Sequence, residues 1–193
     1  IEQTPLFQLL KKMPKGGILH LHSGAMGNPR WVAQKAIDTP EMHVFWEATN
    51  AQYTKGQLQA YAKNKAPKGF LPAHEIVKIN PNFKNELIDL LTFDESIDQD
   101  SVDIWQEFEY VFQRINGFLT YEKVAVDYLV HGAEILIADN IQHAEFRTFF
   151  TSRFYDLAGN KNTEVEYLEI LATVEKRIKA IDPDFTFILI QQG

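Results

Sequence analysis

Two histidines one residue apart, His20 and His22, close a short apolar run that begins at Ile18 and follows the turn-forming segment Met13-Pro14-Lys15-Gly16-Gly17. Side chains alternate between the two faces of a β-strand, so a strand over Ile18 to His22 sends both imidazoles to one side with Leu21 between them. Neutral imidazole is a common zinc ligand, and a rigid strand can present two of them as the prongs of a clamp. The same spacing also fits two polar residues on a half-exposed strand, and the pair alone does not separate these readings. Ser23 and Gly24 then open a loop, Ser23-Gly24-Ala25-Met26-Gly27, that contains no carboxylate.

Other residues with chemical potential lie further along. Read as a strand, Ile141 to Arg147 carries His143, Glu145 and Arg147 on one face. Glu145 and Arg147 are then placed to pair, a structural role, because an unpaired charge in a sheet core is costly. His143 could approach the side of a metal clamp, but a packed core histidine is the expectation. His43, His74 and His131 fall in loop-rich or helix-surface contexts and are assigned no role. The acidic run Asp94 to Asp100 lacks the glycine and terminal glutamate of an EF-hand loop and reads as a solvated lead into a helix. The absence of cysteine excludes thiolate ligands, a cysteine nucleophile and a disulfide framework.

The elements that must position these residues follow from periodicity and turn signals. Thr4 to Lys12 reads as a short amphipathic helix with Leu6, Leu9 and Leu10 on one face, ended by the turn that releases the first strand. Asn28-Pro29 is an N-cap with proline at the first helical position, opening a helix through Ala36. Residues 38–100 hold most of the turn signals, among them Thr39-Pro40, Ala66-Pro67-Lys68-Gly69 and Asn80-Pro81-Asn82, and are expected as short helices and loops. Trp105, Phe108, Val111, Phe112 and Ile115 recur at helical spacing, with Asp100 or Ser101 as cap and Gly117 at the far end. A helix over Tyr121 to Ala138, a strand over Ile141 to Arg147, a helix over Glu164 to Ala180 and an apolar strand over Phe185 to Ile190 complete the pattern. This alternation is that of a parallel α/β sheet.

With 193 residues, 45% of them hydrophobic and 12% aromatic, the chain can bury a sizeable core. A net charge of −7 argues against a nucleic-acid backbone or an anionic membrane as partner. No apolar run reaches the roughly 18 to 20 residues needed to span a bilayer. A soluble protein, cytoplasmic or exported, is expected, and Ile1 in place of an initiating Met leaves a removed signal peptide open.

Met13-Pro-Lys-Gly-Gly-Ile-Leu-His20-Leu-His22 resembles the first barrel strand of the adenosine deaminase family, in the branch called adenosine deaminase-related growth factors. The run from Trp105 to Tyr121 is similar to that branch's Trp-x-x-Phe-x-x-x-Phe-x-x-x-x-Gly-x-x-x-Tyr helix. Asp139-Asn140, an apolar stretch and Glu145-Phe-Arg147 are similar to its second strand. The resemblance covers most of residues 5–193, weakly between about 40 and 95. It implies a (β/α)8 TIM-type metal-dependent hydrolase barrel, a fold that takes about 250 residues. The chain, with about three core parallel strands, would then be a single incomplete domain over 1–193, the N-terminal portion of that barrel. Residues 38–100 would be an insertion between its first and second strands, where lids and pocket walls are commonly built.

The implied reaction is hydrolytic deamination of adenosine to inosine and ammonia, with Zn2+ lowering the pKa of its water to about 7 for attack at C6 of the purine. His20 and His22 would supply part of the metal site. Trp105 matches an aromatic on the helix that borders the substrate pocket, although its spacing fits a core tryptophan equally. Ser23 stands where this branch usually carries an Asp, and Gly24 beside it fits a turn glycine better than a substrate contact. The further His and Asp ligands and the Glu and His that move protons come from later strands and have no match here. The chain alone is therefore expected to be inactive. Two other readings stay open: a non-catalytic binding or signalling module on a deaminase scaffold, and another amidohydrolase such as AMP or adenine deaminase. An unclosed sheet ending on Phe185 to Ile190 presents an edge suited to a homo-oligomer.

Overall fold

Thr4 and Asn28 each cap a helix whose first residue is proline, because proline has no N–H to leave unpaired there and its fixed φ is already helical. The computed structural model describes residues 1–45, 58–92, 103–148 and 154–191. In chain order its elements are α1 (Pro5–Lys12), β1 (Gly17–His22), a 3-10 turn (Ser23–Ala25), α2 (Pro29–Asp38), β2 (Met42–Phe45), β3 (Leu58–Ala60), β4 (Phe70–Pro72), α3 (Ala73–Ile79), α4 (Phe83–Leu90), α5 (Ile104–Leu119), α6 (Glu122–Ala138), β5 (His143–Thr148), α7 (Glu164–Ile181) and β6 (Thr186–Gln191). They fall into two compact units. One is formed by Ile1–Gly27, Val126–Arg153 and Asn162–Gly193, the other by Asn28–Ala125 and Phe154–Lys161.

In the first unit β1, β5 and β6 form a parallel sheet in that order, and α7 supplies the crossover between β5 and β6. The approaches to β1 and β5 are tied together before either strand begins. Lys15 Nζ lies 3.0 Å from Asp139 Oδ1, the Lys15 N–H donates to the Asn140 carbonyl at 2.9 Å, and the Gly16 N–H donates to Gln142 Oε1 at 2.8 Å. Asn140 Nδ2 returns a bond to the Lys12 carbonyl at 2.7 Å. Gly16 and Asn140 sit in the left-handed region, at φ 72° and 62°, a conformation open to glycine and tolerated by asparagine. These interlocked turns set the register that places Gly17 opposite His143. Ala144, Phe146 and Phe185, with Tyr167, Leu171, Val174 and Ile178 of α7, supply buried apolar side chains. Helix α7 opens with a capping box between Thr163 and Glu166. The apolar stripe of α1 is present, yet Leu6, Leu9 and Leu10 are 64%, 61% and 47% exposed.

The second unit departs from the expectation of short helices and loops over 38–100. It contains a three-stranded antiparallel sheet in the order β3-β2-β4. In that order the strands have 3, 4 and 3 residues, too few to display a two-residue period between turn signals. Met42, Val44 and Leu58 are fully buried, as are Val32 and Ala33 of α2, Phe83 and Leu87 of α4 and Phe118 of α5. The N-cap of α5 is Asp103, whose carboxylate accepts from the Trp105 and Gln106 N–H groups at 3.0 and 3.2 Å. Asp100 and Ser101 lie outside the described residues. Gly117 does not end α5, which runs on to Leu119. Its role is close approach: a Cβ there would fall inside 3.0 Å of the Leu58 carbonyl oxygen and of Gln59 Oε1.

Candidate metal centre

The strand that carries the two histidines is not regular. β1 pairs Ile18 with Ala144 and Leu21 with Phe146, so Leu19 and His20 together stand opposite the single residue Glu145. This is a β-bulge, and it resets which way the strand points. Paired residues of neighbouring strands face the same side, so Ile18 and Leu21, three apart, share the side of the buried Ala144 and Phe146. Strict alternation would have put Ile18 beside the histidines. The bulge removes it and leaves His20 and His22 together, with Nε2 atoms 3.1 Å apart and ring centroids 5.0 Å apart.

That separation fits one ion. Two Zn–N bonds of about 2.0 to 2.1 Å at a tetrahedral angle hold their nitrogens about 3.3 Å apart. Both Nε2 atoms must then be unprotonated, whereas a direct hydrogen bond between the rings needs one of them to donate. Among the described residues no group of three or more His, Cys, Asp or Glu side chains is gathered in a metal-holding arrangement. Catalytic zinc takes three protein ligands, so two imidazoles would not complete such a site by themselves. The rest of this face of β5 is polar and paired within itself, apart from the buried Arg147 Nε, which has no hydrogen-bond partner. Arg147 Nη2 donates to Glu145 Oε2 at 3.2 Å and to the Leu19 carbonyl at 2.8 Å. His143 Nδ1 lies 2.8 Å from Thr186 Oγ1, and its ring packs over Gly17, where an added Cβ would come within 3.3 Å of it. His143 is therefore engaged with β1 and β6, in agreement with a packing role.

No family model matches the sequence. Individual curated proteins do. The chain is 30% identical over 194 residues to adenosine deaminase 2-A of Danio rerio, an alignment covering 96% of this chain and 38% of that protein. It is likewise 30% identical over 196 residues to adenosine deaminase of Lutzomyia longipalpis, covering 96% and 37%. Adenosine deaminase 2 of Dictyostelium discoideum is 27% identical over 160 residues, covering 81% and 29%. The chain belongs to the adenosine deaminase family. It spans between 29% and 38% of the length of the relatives named above.

Within this member of the adenosine deaminase family, the segment after the histidines is held from behind by α6. The Gly27 N–H donates to the Tyr128 hydroxyl at 2.9 Å, and a Cβ on Gly27 would strike the Tyr128 ring inside 3.0 Å. Gly132 leaves the matching space for Met26. Burial pushes the Tyr128 phenol up to about 12, against the opposing pull of its backbone hydrogen bonds. The half-buried Ser23 and Gly24 form the 3-10 turn directly after His22, which agrees with Gly24 as a turn residue. Trp105 lies in the other unit, near the start of α5, 78% exposed and edge-on to Phe108. Its exposure removes the core-tryptophan reading.

The same unit carries an open cleft of about 830 Å³ walled by Phe45, Tyr61, Phe70 and Phe112 with the amides of Gln113 and Asn116. Nothing in the sequence spacing announced it, because its walls come from β2, β4, α5 and the end of β3. His43 is buried in β2, its Nδ1 2.8 Å from the Glu41 carbonyl, and is not the loop residue that was expected. His74 sits 3.0 Å from Glu75. The acidic run 94–100 lies outside the described residues. No described helix is long and apolar enough to cross a membrane.

Proposed function

We propose that this chain is part of a zinc-dependent adenosine deaminase, in which it contributes the first two metal ligands, His20 and His22, from the first strand of a (β/α)8 barrel. The observation that carries the reading is the 3.1 Å approach of the two Nε2 atoms on a bulged strand. It is supported by the parallel order β1-β5-β6, which is what consecutive barrel strands give. The relatives' names, adenosine deaminase 2-A and adenosine deaminase, support adenosine as the substrate. Zinc in such a site supplies an activated water for attack at C6 of the purine. The chain's own residues would hold the metal from one side, and Ser23 and Gly24, on the turn that follows His22, would meet the nucleoside. The family resemblance alone supports Trp105, solvent-facing on α5, as a substrate-packing aromatic. The third ligand and the proton-transferring groups come from outside this chain, so the isolated chain does not turn over adenosine.

Elemental analysis with an adenosine-to-inosine assay, run on this chain and on the full gene product, tests the reading. The expected result is zinc and inosine formation with the full product and no inosine with the chain alone. Inosine from the chain alone would overturn the partial-site account. A full product that holds no zinc and forms no inosine would remove the enzyme reading and leave a binding module on a deaminase scaffold, the alternative that the missing carboxylate at 23–27 favours.

A further inference from the structure

We propose that Arg147 is a positioning residue that locks the β1 bulge and so presets His20 against His22. This rests on the reading of that pair as a metal clamp. The bulge sets two residues against one and leaves the Leu19 carbonyl outside the regular ladder. Arg147 Nη2 meets that carbonyl at 2.8 Å, and the peptide group so held is the one that links Leu19 to His20. The same nitrogen donates to Glu145 Oε2 at 3.2 Å, and Glu145 is the residue that faces the bulge. Bulge, carboxylate and guanidinium thus form one closed arrangement.

The reason for a brace lies in strand parity. A one-residue slip in pairing sends a side chain to the opposite face. If the bulge moved one position along β1, His20 would turn to the side of Ala144 and Phe146, and His22 would be left alone. Regular pairing cannot hold the bulge in place, because regular pairing is what it interrupts. A charge-assisted bond to its free carbonyl can. His143 does not serve this purpose, since its Nδ1 is committed to Thr186 on the other strand.

The test measures Zn2+ affinity of the purified chain by competition with a chromophoric chelator, together with amide hydrogen exchange. Arg147→Met keeps the bulk of the side chain and removes its donors. It is expected to weaken Zn2+ binding by about 10- to 100-fold, the range in which outer partners of metal ligands act. The His20 and Leu21 amides should exchange about tenfold faster, with the β6 amides unchanged. A lysine ammonium carries three donors and can serve both acceptors, so Arg147→Lys should recover most of the affinity, which a loss of mere side-chain volume would not explain. His22→Ala is the control for the clamp. If His22→Ala loses Zn2+ while Arg147→Met binds within twofold of wild type, the brace is wrong and the clamp stands. If His22→Ala binds as wild type does, the clamp fails and the proposal goes with it. Should Arg147→Met fail to fold, Glu145→Gln decides: it keeps the guanidinium, loosens its anchor, and must weaken Zn2+ binding for the proposal to survive.

Discussion

Gly117→Ala sets two effects of opposite sign against each other where α5 meets β3. In a helix interior, replacing glycine with alanine gains about 1 kcal/mol of propensity. Against that, a Cβ at this position falls inside 3.0 Å of the Leu58 carbonyl oxygen and of Gln59 Oε1. The Gln59 amide can swing aside. The Leu58 carbonyl belongs to a strand paired to β2 and can move only with that strand. Overpacking of this kind costs about 1 to 3 kcal/mol. A retreat of α5 also strains the Tyr155 bridge, whose hydroxyl donates to the Gly117 carbonyl at 2.5 Å and accepts from the Ala60 N–H at 3.2 Å. Each of those bonds contributes about 1 kcal/mol. The net expectation is a loss of about 1 to 3 kcal/mol, and each kcal/mol lowers Tm by about 2 to 4 °C in a chain of this size. Thermal unfolding followed by circular dichroism measures it. Combining the change with Gln59→Ala should restore only the side-chain part of the loss. A Gly117→Ala protein as stable as wild type, or more so, would refute the close approach of helix and strand and return Gly117 to a propensity effect.

Glu107→Gln tests the ion pair inside the same helix. Arg114 is 3% exposed, and its Nη1 and Nη2 meet the two Glu107 oxygens at 2.6 and 3.1 Å. Removing the carboxylate charge beside a buried guanidinium should cost about 3 kcal/mol in urea melts, and the double change Glu107→Leu with Arg114→Met should recover most of it; a cost below about 1 kcal/mol would show the pair to be dispensable. The third prediction concerns alkaline pH. The Tyr128 phenol titrates at about 12 when folded against 10.0 as the reference value, so its protonated form is favoured by folding. That stability is fully present below the unfolded value and is lost as pH rises through the folded one, about 3 kcal/mol between pH 10 and 12. The stability difference between wild type and Tyr128→Phe should shrink across that window, and a flat difference would refute the burial of the phenol.

Helix boundaries were legible because their signals are local. Asn28-Pro29, Asp182-Pro183 and the periodic apolar residues of α5 each state an end or a face within a few positions, and the structure follows them closely. The small sheet over β2, β3 and β4 was not legible, since strands of 3 or 4 residues carry no periodicity and owe their form to antiparallel partners distant in sequence. Gly117 misled for a related reason: a glycine near a helix end fits a C-cap and a close approach alike, and only the position of Leu58 separates them. The histidine pair itself was visible. The bulge was not, beyond one faint sign, that Ile18 breaks the alternation that Leu19, His20, Leu21 and His22 obey.

Chemistry in this sheet is confined to one side by a departure from what parallel strands ordinarily are. Such strands are usually apolar on both faces, and β6 nearly conforms, with Phe187 and Leu189 alternating with Ile188 and Ile190. β1 and β5 do not. Their polar face carries His143, Glu145, Arg147, His20 and His22, and the first three have complementary partners, guanidinium Nη2 with carboxylate and imidazole with hydroxyl, although the buried Arg147 Nε has none. Two neutral imidazoles aimed at each other can share a single proton-mediated contact, which spends one nitrogen as donor. A cation placed between them uses both lone pairs at once. The carboxylate on this face is already met by a guanidinium, and the lone pairs that the bulge brings together are of the kind a divalent metal takes up.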